Sequence, residues 1–98
     1  MKKTKTFEGF QVSNISFTEK GEQVFFTANI TNVSSYDTEE YTFFKITFVD
    51  KNGAEIITIP GMINPVKQNE TVPLNATIEG DLNNYINAYD FVMTVDKR

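Results

Sequence analysis

The sequence predicts an all-β protein, built as an antiparallel sandwich of six to seven strands. Apolar residues recur at every second position in several separate segments, which is the spacing of a strand with one buried face. The apolar content is dominated by aromatic and β-branched residues, with nine Phe and four Tyr but no Trp. Turn-forming residues interrupt the pattern about every 8–12 positions, as in a sandwich of short strands. The 98 residues fit one domain.

Four segments show the alternation most clearly, and each predicts a strand. In 24–31 the even-numbered positions are all apolar, whereas the odd-numbered positions are polar apart from Phe25. Successive side chains of a strand point to opposite faces, so one parity is expected to face the core and the other the solvent. The four segments are 24–31, 44–48, 72–78 and 89–95.

Two further segments are weaker strand candidates. The apolar parity of 10–17 changes near residues 13–14, which predicts a β-bulge or a strand that passes from one sheet to the other. The second segment, 55–59, is a short strand that Pro60 and Gly61 are expected to end.

Turns and loops complete the outline of the chain. The segments 19–22 and 50–53 predict tight antiparallel hairpins, because the glycine in each can adopt the positive φ that such turns require. Longer loops are expected at 34–40 and 62–70, and 80–84 leads to the last strand through a loop or a short helical turn. Residues 1–6 are expected to be a disordered N-terminal tail or an added start to the chain, and 7–98 a single sandwich domain.

The composition excludes several classes of function. The chain has no Cys and no His, so it can form neither a disulfide, a zinc–thiolate site nor a Ser-His-Asp triad. Its net charge of −4 argues against nucleic acid, which requires a Lys- and Arg-rich surface. No segment approaches the about 20 apolar residues of a membrane-spanning helix, so direct membrane insertion is not expected. We expect no enzyme activity and no cofactor.

Carboxylates and oxygen-rich loops are the remaining candidates for chemistry. Nothing in the sequence brings Asp50, Asp81 and Asp90 together as an acid–base pair. The segment 50–53 resembles the start of an EF-hand loop, but its twelfth position is Gly61 instead of Glu, so a β-turn is expected there. A looser calcium site in the loop at Asp81, Asn83 and Asn84 stays open.

Five Asn-x-Ser/Thr sequons occur in the chain. Such sequons are glycan acceptors in secreted eukaryotic proteins. Several lie in predicted strands, where Asn and Thr are expected to form a polar solvent-facing surface instead. They begin at Asn14, Asn29, Asn32, Asn69 and Asn75.

The surplus of aromatic residues predicts a candidate interaction surface. If the apolar parity of the strands faces the core, Phe25, Tyr41, Phe43 and Val49 lie on the opposite parity, with the Tyr36 loop beside them. An exposed apolar patch of this kind often marks a partner surface. The alternative is that a long loop or the segment 6–10 covers these side chains.

The hairpin around Asp50 also resembles a known family. The run 44–56 is similar to the central hairpin of bacterial FxLYD-type domains, which are immunoglobulin-like modules of exported proteins and lipoproteins. Asp50 stands at the Asp of that motif, and the segments 24–34 and 65–71 resemble the flanking regions. The resemblance implies an immunoglobulin-like fold and a location outside the cell or in the cell envelope. The signal or anchor is expected outside this chain.

The expected function is that of a non-enzymatic structural or protein-interaction module of a bacterial cell-envelope or secreted protein. Its partner would be another protein or another domain of the same parent chain, bound by a sheet face, a sheet edge or the end loops. The alternative is a carbohydrate-binding module that stacks sugars on exposed aromatic residues. The tyrosines available for this are Tyr36, Tyr41, Tyr85 and Tyr89.

Overall fold

A computed structural model describes residues 4–79 and 88–96 of the chain. Within these residues the protein consists of seven strands in two antiparallel sheets, which confirms the predicted immunoglobulin-like antiparallel β-sandwich of six to seven strands. The strands are β1 (Lys5–Phe7), β2 (Phe10–Lys20), β3 (Gln23–Asn32), β4 (Thr42–Val49), β5 (Glu55–Ile63), β6 (Thr71–Glu79) and β7 (Asp90–Asp96).

The sheets contain four and three strands. The first has the order β1-β2-β3-β6, and the second has the order β5-β4-β7. The chain therefore crosses from one sheet to the other after β3, after β5 and after β6. One end of the sandwich, which we call the loop end, carries the β1–β2 turn, the β3–β4 and β5–β6 loops and the end of β7. The opposite end, the hairpin end, carries the β2–β3 and β4–β5 turns.

The core lies between the two sheets and contains a cluster of phenylalanine rings. Phe26 of the first sheet and Phe48 of the second are fully buried, and their ring centroids lie 5.6 Å apart in an edge-to-face arrangement. Phe17 packs against the same Phe48 ring at 5.0 Å. Burying a phenylalanine side chain contributes about 1.5–3 kcal/mol, and an aromatic pair adds about 0.5–1.5 kcal/mol. These rings therefore contribute much of the attraction between the sheets.

The parity change in β2 arises from a β-bulge. The β2–β3 register shifts between Ser13 and Ser16, and Asn14 has a φ of 54°. The bulge adds one residue to β2 that has no counterpart on β3. Val12 and Ile15 therefore both point into the core, although they are an odd number of positions apart. The strand stays in one sheet on both sides of the bulge, so the bulge and not a change of sheet explains the sequence pattern.

The strand β5 continues beyond the point where the sequence pattern predicts its end. Pro60 pairs with Lys45, Gly61 pairs with Phe44, and the strand ends only at Ile63. The prediction was wrong because β5 is an edge strand. At an edge, a proline nitrogen can face away from the neighbouring strand without loss of a ladder hydrogen bond.

The first strand includes residues that the sequence pattern assigns to a tail. Lys5 and Thr6 belong to β1, which pairs with the start of β2. The Lys5 ammonium lies 2.8 Å from Asp90 Oδ1 and donates to the Phe91 carbonyl at 3.1 Å. The ring of Phe7 lies 5.7 Å from that of Phe91. Contacts with β7 in the other sheet thus hold this short strand in place.

Both tight hairpins are present. The β4–β5 turn is closed by Asp50, whose Oδ1 accepts hydrogen bonds from the Asn52 and Ala54 amides, and Gly53 adopts a φ of 82°. The segment 50–53 is therefore a β-turn, as predicted. The predicted 80–84 connection lies outside the described residues. No helix in the described part of the chain is long and apolar enough to cross a membrane.

Candidate interaction surface

The structure divides the predicted aromatic surface between two opposite faces. Phe25 lies on the outer face of the four-stranded sheet, between Thr18 and Thr77 of the neighbouring strands. Phe43 and Val49 lie on the outer face of the three-stranded sheet, because their neighbours Phe44 and Phe48 point into the core. The prediction that Phe25 shares a surface with Phe43 was therefore wrong.

Val49 is also separated from the aromatic residues on its own strand. It lies six residues from Phe43, which corresponds to about 20 Å along a strand. Val49 is half-buried at the hairpin end, where its carbonyl accepts a hydrogen bond from the Tyr89 amide. Of the five predicted residues, the structure brings three together at the loop end: Tyr36, Tyr41 and Phe43.

The structure adds Met62 to this group. Met62 lies on β5 directly opposite Phe43, and 45 % of its surface is exposed, compared with 40 % for Phe43. Met62 was not part of the predicted surface, because the sequence pattern ended β5 at Pro60 and Gly61, before this residue. We refer to Tyr36, Tyr41, Phe43 and Met62 as the loop-end surface.

Two adjoining grooves run across the loop-end surface. The first, of about 400 Å³, lies on the outer face of the three-stranded sheet beside Phe43, Lys45 and Pro60. The second, of about 350 Å³, lies beside Tyr36 and Tyr41. Val95 and Asp96 line both grooves, so the two grooves adjoin each other.

A buried asparagine positions the loop that carries the tyrosines. Asn32 is the one fully buried polar residue among those described, and its Nδ2 donates to the carbonyls of Tyr36 at 2.9 Å and Val66 at 3.0 Å. Its Oδ1 accepts from the Ser34 amide at 3.0 Å and from the Ser34 hydroxyl. All four hydrogen-bonding positions of the side-chain amide are thus occupied. The backbone of Asn32 also bonds to the β5–β6 loop, through Asn69 and Glu70.

Further hydrogen bonds join the two long loops to each other. Thr38 Oγ1 accepts from the Val66 amide at 2.8 Å and donates to the Val66 carbonyl at 3.1 Å. Asp37 Oδ1 accepts from the Gln68 amide at 2.8 Å. These hydrogen bonds tie the loop that carries Tyr36 and Tyr41 to the β5–β6 loop.

Binding through a sheet edge was one of the predicted modes, and three of the four edge strands, β5, β6 and β7, carry features that oppose it. Pro60 in β5 and Pro73 in β6 each remove a potential backbone donor from an edge strand. On β7, Lys5 bonds the Phe91 carbonyl and Glu8 accepts from the Val95 amide at 3.3 Å. These features disfavour strand addition, so a face or an end is the better candidate surface.

The sequons are mostly solvent-facing, as predicted, with one exception. Asn75 is exposed on the outer face of the four-stranded sheet, and Asn29 is half-buried there opposite Ser13 and Pro73. Asn14 and Asn69 are exposed, in the bulge and in a turn. Asn32 is the exception, because it is buried. Its role is to fix the loops. Asn32 lies two residues after Ile30 on the inward-facing side of β3, and this position in the alternation is the sequence signal of its burial.

The two candidate carboxylates among the described residues, Asp50 and Asp90, bond to different groups. Asp50 belongs to the β4–β5 turn, and Asp90 bonds to Lys5 and to the Phe91 amide at the start of β7. In residues 4–79 and 88–96, no group of three carboxylates is arranged to hold a metal ion. The candidate calcium ligands Asp81, Asn83 and Asn84, together with Tyr85, lie outside the described residues.

Comparisons with known proteins give one similar structure. No protein-family model matches the chain, and no curated protein matches it either. Its fold is similar to the crystal structure of a DUF1425 family member from Shewanella sp. pv-4, with a TM-score of 0.53 and 14 % sequence identity. The match covers 97 % of this chain and 87 % of the other. The chain therefore shares its β-sandwich fold with a bacterial member of the DUF1425 family.

Proposed function

We propose that this chain is a non-enzymatic protein-interaction module of a bacterial cell-envelope or secreted protein, and that it binds its partner through the loop-end surface. The observation that carries the proposal is the exposure of the four side chains. Tyr36 is 61 % exposed, Tyr41 55 %, Met62 45 % and Phe43 40 %. Large apolar side chains that are grouped and exposed in this way mark interaction sites.

The kinds of residue present support the same proposal. Tyrosine, phenylalanine and methionine are enriched at the centres of protein interfaces, where rigid aromatic side chains often carry most of the binding energy. The hydrogen bonds of Asn32 and Thr38 hold the tyrosine loop in place. The lack of His and Cys in the chain supports a role without catalysis.

The proposed location rests on two similarities. The hairpin around Asp50 resembles modules of exported bacterial proteins, and the fold is shared with a bacterial protein. Fractionation of cells that express the complete reading frame tests this part. We expect the protein in the envelope or the medium, and its recovery from the cytosol would contradict the proposal.

The binding role is tested by capturing partners from the envelope and secreted fractions of the source bacterium. The parent chain is compared with a variant in which the loop-end surface is made polar by Tyr41→Ser, Phe43→Ser and Met62→Thr. A matched control, Tyr89→Ser with Val92→Thr, removes exposed apolar surface at the start of β7 and just before it, away from the loop end. These two residues are 58 % and 49 % exposed. We expect a saturable partner that binds the parent and the control but not the loop-end variant. Equal binding by all three would refute the proposal.

A carbohydrate-binding role is the second candidate, and one observation favours it. Tyr36 and Tyr41 line the same groove, where two aromatic rings are available to a sugar. Retention on insoluble polysaccharide tests this role. A carbohydrate-binding module would be retained and would lose retention on Tyr36→Ala and Tyr41→Ala, whereas a protein-interaction module would pass through the column.

A further inference from the structure

We infer that the loop-end surface binds a lysine- and arginine-rich extended segment of a protein partner. The inference rests on the proposed function, since it concerns the same surface and specifies the chemistry of what binds there. It is carried by the charges around the apolar side chains and by the shape of the two grooves.

The second groove has a strongly acidic lining. Its described residues include five carboxylates and no lysine or arginine, and the first groove adds a single ammonium, that of Lys45. A concave surface lined by charges of one sign concentrates the field and attracts ligands of the opposite charge. The five carboxylates are those of Glu8, Asp37, Glu39, Glu40 and Asp96.

The tyrosines suit the same ligand. A lysine or arginine head group is attracted to the face of an aromatic ring, and its aliphatic stem packs on apolar surface. Tyr36 and Tyr41 lie in the acidic groove, and Phe43 with Met62 provides the adjoining apolar surface. Both parts of a basic side chain therefore find a complementary site.

The geometry favours a peptide over a single ion. Met62, Phe43 and Asp96 form a row across three neighbouring strands, which corresponds to about 10 Å. The acidic groove continues from this row, and no three of its carboxylates are arranged to hold a metal ion. The five carboxylates come from the β1–β2 turn, the β3–β4 loop and the end of β7, so together they match several basic side chains of one extended segment.

The inference is tested with two fluorescent peptides and the whole chain. In the first peptide, lysine and arginine alternate with serine and leucine, and in the second, glutamate and aspartate replace the basic residues. Fluorescence anisotropy gives the dissociation constants. We expect the basic peptide to bind at least about tenfold more tightly than the acidic one. Raising the salt from about 50 mM to about 500 mM NaCl should weaken its binding severalfold.

Two variants with the same net charge distinguish the effect of the carboxylates at the grooves from the effect of the protein's overall negative charge. Glu39→Gln, Glu40→Gln and Asp96→Asn remove three negative charges at the loop end. Glu19→Gln, Glu22→Gln and Glu55→Gln remove three toward the hairpin end. We expect the first variant to lose about tenfold or more in affinity for the basic peptide. The second should stay within about twofold of the parent, because its changes lie beyond the Debye length from the grooves.

Equal losses in the two variants, or equal binding of both peptides, would overturn the inference. The chain continues after Asp96 with Lys97 and Arg98, so a chain that ends at Asp96 is included and is expected to bind at least as tightly as the parent. The two proposals can also fail separately. If the Tyr41, Phe43 and Met62 variant no longer captures the native partner but both charge variants capture it as the parent does, the proposed function stands and this inference fails.

Discussion

The ring of Phe44 lies over Gly61, the residue that faces it on β5. A Cβ atom at position 61 would lie 2.3 Å from Phe44 Cζ and 2.7 Å from Cε2, well inside van der Waals contact. Glycine leaves the space that the aromatic ring of its cross-strand partner fills. The same register places Met62 opposite Phe43.

The first prediction follows from this contact. Gly61→Ala is expected to lower the free energy of unfolding by about 1–3 kcal/mol, because the buried Phe44 ring must leave its position. Urea denaturation measures the change. In a double-mutant cycle, Gly61→Ala should lower the free energy of unfolding clearly less when Phe44 is replaced by Leu, because the leucine side chain leaves space for the new methyl group. Additive effects of the two substitutions would show that the Phe44 ring is not what limits position 61.

The second prediction concerns Asn32. Asn32→Ala leaves the carbonyls of Tyr36 and Val66 and the amide of Ser34 without their buried partner. We expect a loss of about 2–4 kcal/mol in the free energy of unfolding, measured by urea denaturation. Asn75→Ala, at an exposed position in the four-stranded sheet, is the control and should change it by less than about 0.5 kcal/mol. Similar effects of the two substitutions would contradict the positioning role of Asn32.

The third prediction concerns the contact between the two loops. Thr38→Val keeps the shape of the side chain but removes the hydroxyl that bonds to both the amide and the carbonyl of Val66. We expect faster amide hydrogen exchange at Val66 and a loss of about 1–2 kcal/mol in stability. Thr47→Val, which removes an exposed hydroxyl pair with Thr58, serves as the matched control and should change little. Unchanged exchange at Val66 would rule out this contact as the one that fixes the loop.

The fourth prediction concerns the strand edges. Pro60→Thr combined with Pro73→Thr restores a backbone donor to each of two edge strands. We expect the variant to self-associate more than the parent at equal concentration, because edges with free donors pair with other chains. Analytical ultracentrifugation measures the effect. Phe25→Thr, which alters a face and no edge, is the control, and a double proline variant that behaves like the parent would contradict the protective role of the prolines.

Much of the fold could be predicted because strand alternation is a local property. The alternation in 24–31 is visible in the sequence and reappears as the buried Val24, Phe26, Ala28 and Ile30 of β3. The parity change near Asn14 likewise marks the bulge. Each of these signals depends on residues close together in the chain, so no knowledge of the other strands is required.

The candidate surface could be predicted only in part. Parity correctly placed both Phe25 and Phe43 on outer faces, but it carries no information on which sheet each strand joins. These two residues therefore seemed neighbours, although the core separates them. Met62 was missed for a related reason, because the extension of β5 through Pro60 depends on its position at an edge of the sheet.

The sequence by itself determined the all-β class, the hairpins at Gly21 and Gly53, and the absence of His and Cys from the chain. The tertiary structure alone decided which exposed aromatic residues meet, and it showed that Asn32 fixes the loop that carries Tyr36. The physical reason is that alternation and turn chemistry act over a few residues. A surface or a buried hydrogen-bond network is assembled from segments distant in sequence, such as residues 32 and 66, by packing that no single segment encodes.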